Sequence, residues 1–257
     1  MKQNIGCVMD DLRSYIVDHI KAVVREQQQG FFREPLVGFA SADDPLFEEI
    51  PRLVGDHHAR PAEFLPTGGT VVSFFLPFTK EVVKSNRGDG PVSREWGLSY
   101  LAANALINEL SHGLAEDLRE RGHTAATIPA THNFDPQTLQ CGWSHRSAAF
   151  VAGLGRFGLN RMLIGPSGCA GRYGTIFVGA EIRPDTRGAP ERCLFQDKGK
   201  CEACVKACPP RALAAASYDR FKCWDHLLIV SDLLNIDGKT CDVCGKCVAA
   251  CPMAFIG

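Results

Sequence analysis

Strong charge of either sign is missing from this 257-residue chain: 28 Lys and Arg stand against 29 Asp and Glu, for a net charge of −1. No overall basic field therefore draws nucleic acid. No apolar run approaches the roughly 18 residues that a membrane helix needs. No charged segment followed by an apolar one opens the chain as a secretion signal would. Nor is there an internal repeat beyond the cysteine runs described below. A hydrophobic fraction of 45% and a charged fraction of 22% are ordinary for globular proteins. These absences point to a soluble, cytoplasmic protein without nucleic-acid or membrane partners, built as one large domain or two modest ones.

What the chain has in quantity is cysteine, and it is concentrated. Nine of the 12 cysteines fall in the last 65 residues, in two runs that each close on Cys-Pro. The first is Cys201-x2-Cys204-x3-Cys208-Pro209, with Cys193 upstream; the second is Cys241-x2-Cys244-x2-Cys247-x3-Cys251-Pro252. The second run is the spacing by which bacterial-type ferredoxins hold cubane clusters, three sulfurs on one cluster and the fourth crossing to its neighbour. Two runs imply an interleaved pair of [4Fe-4S] clusters. Cys193, Cys201, Cys204 and Cys251 are assigned to one, and Cys208, Cys244 and Cys247 to the other, with Cys223 and Cys241 as alternatives for its last ligand. Lys198 stands where a regular first run would begin, so Cys193 substitutes through a longer loop, and a [3Fe-4S] or labile first cluster is the alternative. A disulfide framework would need an oxidising compartment, and zinc ribbons want four ligands rather than eight or nine.

Ahead of the cysteines the pattern is mixed. Residues 8–28 place Leu12, Ile16, Ile20, Val23 and Val24 on one helical face, with Gly30 as a stop. Residues 34–66 are turn-rich, with a short strand at 36–39. Residues 70–78 form a continuous apolar run that reads as a central strand. Ser93 caps a long helix running to Arg121, which Gly122 ends. A short strand is expected at 123–129 and an Ala-rich helix at 144–153. Strand-like stretches at 161–165 and 173–181 flank a glycine-rich loop, and 182–190 reads as a linker. The predicted fold is an α/β domain (an α+β sandwich) over residues 1–185 carrying a small ferredoxin-like domain over residues 186–257.

Weaker signals lie outside the cluster spacing. Gly153, Gly155 and Gly158 match G-x-G-x-x-G, with Glu181 at a suitable distance, but a dinucleotide site needs a strand before the glycines and a helix after them. Here an Ala-rich run precedes them and more glycines follow. The loop containing Gly168, Gly171 and Arg172 lets backbone approach a flat ligand or phosphate, and Arg172 suits an anionic group. A solvated hairpin is the plainer reading. Together these glycines and Arg172 are the candidate cofactor-binding residues. Cys141 and Cys169 lack cluster spacing and read as buried thiols. Cys141 and His145 have no third orienting group and read as packing. His57 and His58 read as a solvated turn, and Cys7 is uninformative.

From about Ala149 onward the sequence resembles the epoxyqueuosine reductase family, relatives of the reductive dehalogenases. The resemblance is carried by Ala152-Gly-Leu-Gly155, Gly158, Met162-Leu-Ile164, the strand ending Gly179-Ala-Glu-Ile182, and the cysteine runs. Asp219-Arg-Phe-Lys-Cys223 matches a family cysteine that joins the second cluster. On that analogy Cys223 is the ligand, whereas regular ferredoxin spacing favours Cys241. The family implies a corrinoid beside two [4Fe-4S] clusters, and reduction of the epoxide of a modified tRNA base. This chain departs from it in three ways. Arg156-Phe-Gly-Leu159 replaces a Trp-x-Gly-Lys pattern. The family's catalytic Asp would fall near Leu139, where Asp135 is the nearest carboxylate but in the wrong context. The chain also stops at Gly257, ahead of the helical tRNA-holding domain of the longer enzymes, so epoxyqueuosine reduction is not the expected activity.

Three functions follow. The first is a redox protein passing single electrons from a donor such as a ferredoxin or flavodoxin to a small-molecule ligand in the α/β domain. The second is a corrinoid-dependent reductase, or a reactivator of a corrinoid protein. The third is a non-enzymatic carrier docking a protein partner, which would have a solid core without a ligand-sized cavity. A homodimer is the default assembly.

Overall fold

Strand β2 (Thr70–Pro77) is buried along its whole length because its two faces serve two different cores. Val72, Phe74 and Leu76 point to one side and Val71 and Phe75 to the other, the period-two alternation of a strand covered on both faces. The computed structural model describes residues 3–257 except His132, and side chains from residue 11 onward; the side chain of Cys7 therefore lies outside what is described. β2 is interior to a four-stranded sheet ordered β1 (Leu36–Ser41), β2, β8 (Gly171–Val178), β3 (Ala125–Thr127). Every pairing is antiparallel, with Thr70 opposite Val178 and Pro77 opposite Gly171.

Helices cover both faces. On one lie α1 (Gln3–Arg25) and α4 (Arg94–Glu120), whose Ile16, Ile20, Leu106, Ile107, Leu110 and Leu114 meet Val72, Phe74 and Ile176. Ser93 caps α4 by accepting from the Trp96 N–H at 3.1 Å, as its position suggested. On the other face lie α2 (Pro45–Val54) and α5 (His145–Val151), packed through Phe47, Trp143 and Phe177. The mixed α/β character is as expected. α2 is not apparent from the sequence because Pro51 interrupts its helical pattern, yet Asp44 caps it by accepting from Leu46 N–H.

Three shorter elements surround the sheet. α3 (Lys80–Ser85) leads into α4, β4 (Phe134–Asp135) pairs with β5 (Gln140–Cys141), and β6 (Arg156–Phe157) with β7 (Leu163–Ile164). The expected glycine-rich loop is shorter than its sequence suggests. β8 already begins at Gly171, which places Arg172 on an interior strand rather than in a loop.

The cysteine-rich segment forms α6 (Leu194–Lys198), α7 (Ala203–Lys206), α8 (Arg220–Leu234) and α9 (Lys246–Ala249). It shares a core with the preceding chain: Phe78, Trp96, Leu159 and Cys169 pack with Cys193, Cys204, Leu213, Val248 and Cys251. Arg33 fastens the end of the chain, donating to the carbonyls of Phe78 at 3.1 Å and Ile256 at 2.8 Å. The N–H groups of Cys169 and Ala170 donate to Ala254 O at 3.2 and 3.0 Å. No helix among the described residues is long and apolar enough to cross a membrane.

Candidate functional site

Eight cysteines of the cysteine-rich segment sort into two groups of four. Cys193, Cys201, Cys204 and Cys251 line one small cavity, together with Leu159, Asn160 and Ile164. Cys208, Cys223, Cys244 and Cys247 lie on the wall of a second, much larger cavity of about 1060 Å³; Cys141 of β5 lines it too, half-buried rather than the buried thiol expected. The thiols of each group border a void and do not meet at one point: no three His, Cys, Asp or Glu side chains among the described residues are close enough to hold a single metal ion.

Cys241 belongs to neither group. It is fully buried with Tyr100 and Ile236, its backbone N–H donates to Ser231 Oγ at 2.9 Å, and its thiol donates to Gly97 O at 3.7 Å. Cys223 stands in the first turn of α8, where Asp219 caps the helix by accepting from Phe221 and Lys222 N–H. The Tyr218 hydroxyl donates to the Cys223 sulfur. Burial pushes Cys204 and Cys244 up to about 11, and neighbouring thiols add to the effect. Cys247, bordered by Cys244, Cys208 and Cys223, is pushed up further. Four thiols gathered in a dry site resist ionising unless positive charge is supplied at their centre. Cys169 is more than an inert thiol. Asn160 Nδ2 donates to its sulfur at 3.4 Å and it hydrogen-bonds Cys251, holding its own proton and favouring the Cys251 thiolate.

The remaining candidates separate cleanly. Gly158, Gly171 and Arg172 line the large cavity. Gly153, Gly155 and Gly168 do not; each is pressed against backbone, at Thr186 O, Ile164 O and Ala254 O respectively. Gly153, at φ +77°, ends α5: Leu154 N–H reaches Ala149 O at 3.0 Å and Gly153 N–H reaches Phe150 O at 3.1 Å. The G-x-G-x-x-G stretch thus runs from a helix into the β6–β7 hairpin, the reverse of a dinucleotide turn. Asp135 is exposed and accepts from Gln137 and Thr138 N–H at 2.8 Å, while Leu139 lines the cavity.

His58 is a correction to the solvated reading. It is 2% exposed, donates through Nδ1 to Ala59 O at 2.8 Å, and accepts from Ser144 N–H at 2.9 Å. His145 is satisfied by Thr175 Oγ1 at 2.9 Å and Pro129 O at 3.0 Å, and burial pulls it down to about 4, so it is a neutral structural residue. Residues that sequence reasoning missed include Tyr100, Arg146, Tyr218 and Asp242, all on the wall of the large cavity. Asp242 sits inside the second cysteine run, a placement that hinted at proximity to the clusters. Nothing local marks the others.

No family model matches the chain. An epoxyqueuosine reductase of Francisella cf. novicida (strain Fx1) is 26% identical over 245 residues, which is 84% of this chain and 66% of that protein. An epoxyqueuosine reductase solved with an epoxyqueuosine-modified tRNA-Tyr stem loop superposes with a TM-score of 0.62 at 20% identity, over 96% of this chain and 66% of that one. In sequence and fold this chain is epoxyqueuosine reductase-like. A catabolic reductive dehalogenase shares the fold more distantly, at a TM-score of 0.56 and 16% identity, over 85% of this chain and 30% of that one. The chain thus spans 66% of the length of its epoxyqueuosine reductase relatives.

Proposed function

We propose that this epoxyqueuosine reductase-like chain is an iron–sulfur oxidoreductase that delivers single electrons to a ligand held in its large cavity. Cys193, Cys201, Cys204 and Cys251 would hold one [4Fe-4S] cluster, and Cys208, Cys223, Cys244 and Cys247 the other, within a ferredoxin-like unit over residues 186–257. The observation that carries the reading is the division of eight thiols of the cysteine-rich segment into two sets of four, each bordering its own void, with Cys141 of β5 the one further thiol on the larger. The soft, positively charged core of each cluster would relieve the burial and crowding that push Cys204, Cys223, Cys244 and Cys247 up. Cys204 and Cys251 of the first set lie within each other's electrostatic reach, as do Cys204 and Cys247 across the two sets. An electron entering at the first set would therefore have a short route to the second, whose thiols form part of the cavity wall. The donor is proposed to be a small one-electron protein such as a ferredoxin or flavodoxin.

The chain's own residues shape the receiving end. Tyr218 donates to Cys223, orienting it. Lys246, between Cys244 and Cys247, spends its three donors on the carbonyls of Asn86, Gly88 and Pro91 at 3.0–3.3 Å, fixing the loop of the second run. A plain carrier has no use for a cavity of about 1060 Å³ beside one cluster, which favours an enzyme. The same volume supports a second reading, a corrinoid in that cavity, which would supply a low-potential reducing centre beside the second thiol set. Epoxyqueuosine reduction itself is not proposed, because Asp135 is exposed and is not among the residues of the cavity wall.

Titration of the cluster-loaded protein with cob(II)alamin, followed by electron paramagnetic resonance and gel filtration, tests the corrinoid reading. A change to a base-off cobalt signal with co-elution is the expected result if the cavity holds a corrinoid. An unchanged signal beside intact clusters would leave a different acceptor in the cavity.

A further inference from the structure

The large cavity is far more positive than the chain as a whole. Among the described residues four arginines reach its wall, Arg146, Arg161, Arg172 and Arg220, against one carboxylate, Asp242. The chain's net charge is −1, so this is a local concentration. Part of it has an evident duty. Arg146 lies within electrostatic reach of Cys223 and Tyr218, where it can offset negative charge on the second thiol set. It also donates to Arg161 O at 2.8 Å.

Arg172 has no such duty. Its charged neighbours are Tyr100, Arg146 and Asp242, none of them a thiol. It leaves interior strand β8 and lies with its Cζ 4.7 Å from the centre of the Tyr100 ring. Its one hydrogen bond among the described residues is a long contact of 3.5 Å to Ala130 O. A guanidinium has five N–H donors in a planar fork, and Arg172, only partly buried, keeps the rest of its fork open to the cavity. Tyr100 is itself held firmly, donating to Asp242 at 2.7 Å, so the platform under Arg172 is rigid. That hydrogen bond also engages the nearest carboxylate with a donor other than Arg172.

We infer that Arg172, stacked on Tyr100, is the seat for an oxyanion, carboxylate or phosphate, on the ligand of this cavity. The inference rests on the reading that a ligand sits there, and it narrows that ligand to an anionic molecule. The planar fork matches two oxygens of one carboxylate or phosphate. Aromatic groups on the wall, including Trp96 and Trp224, suit a partly apolar body behind the charged group.

The test compares benzoate with benzamide, which share shape and differ in charge, by calorimetry and ligand-observed NMR on the cluster-loaded protein. Benzoate is expected to bind at least tenfold tighter, and Arg172→Gln to erase the preference. Arg172→Lys, which keeps the charge without the fork, is expected to retain only part of it. Inorganic phosphate competing with benzoate would assign the seat to phosphate-bearing ligands, and failure to compete would assign it to carboxylates. Equal binding of benzoate and benzamide, no binding of either, or a preference that survives in Arg172→Gln would overturn the inference. The wild-type comparison needs no variant to fold. Failure of the electron-transfer reading would show separately, as protein that takes up no iron and sulfide.

Discussion

At the scale of single residues the sharpest question is Cys223 against Cys241. Motif spacing alone prefers Cys241, since it completes a regular run. The proposal takes Cys223 instead, since it shares the cavity wall with Cys208, Cys244 and Cys247, whereas Cys241 is enclosed against Gly97. Cys223→Ser is therefore expected to lose about half of the bound iron, with the loss confined to one of two cluster signals. Cys241→Ser is expected to keep both and to cost only stability, because a hydroxyl replaces a buried sulfur in an apolar contact. Iron and sulfide analysis with electron paramagnetic resonance reads both; full iron in Cys223→Ser would return the assignment to Cys241. The seven other cysteines proposed as ligands come from the cysteine runs and Cys193, because a cubane would impose its geometry on local sequence. Arg172 was legible as a residue of interest but misplaced, since three glycines in seven residues resemble a loop even when two of them lie in a strand. Those two glycines, Gly171 and Gly174, sit in β8 where a Cβ would strike Leu76 O and the Phe74 ring. Tyr100 was invisible, being one inward position among many on a long helix.

At the scale of elements, β2, α4 and α5 were readable from apolar runs and composition; Ser93 caps α4 as its position suggested, and the expected start of α5 at Ser144 is its N-cap. The sheet's antiparallel order was not readable, since a strand buried on both faces looks the same in either sense. α8 was missed because its apolar residues do not keep to one face; Phe221, Leu228, Ile229 and Leu233 are all exposed. The seam between α4 and the second cysteine run depends on Gly245. It holds φ at +65°, and a Cβ there would lie 2.2 Å from the Trp96 ring. Gly245→Ala is expected to cost about 2–4 kcal/mol through strain and overpacking, lowering the melting temperature by roughly 5–15 °C. Gly113→Ala, in open space on α4, should instead stabilise by about 0.5–1 kcal/mol. Thermal unfolding of the two variants separates these outcomes, and a Gly245→Ala protein as stable as the parent would show that the seam is not tightly packed.

At the scale of the whole molecule, the sheet and its helices do two things for the cysteine segment. They complete its core, through Phe78, Trp96, Leu159 and Cys169, and they wall the cavity that its second thiol set borders. The central claim is that eight of the cysteines carry two cubane clusters, and anaerobic reconstitution with iron and sulfide tests it most directly. About eight irons and eight sulfides per chain, with a dithionite-reduced spectrum showing two interacting centres, is the expected result. Retention of zinc in place of iron, with no sulfide bound and no paramagnetic signal after reduction, would contradict it.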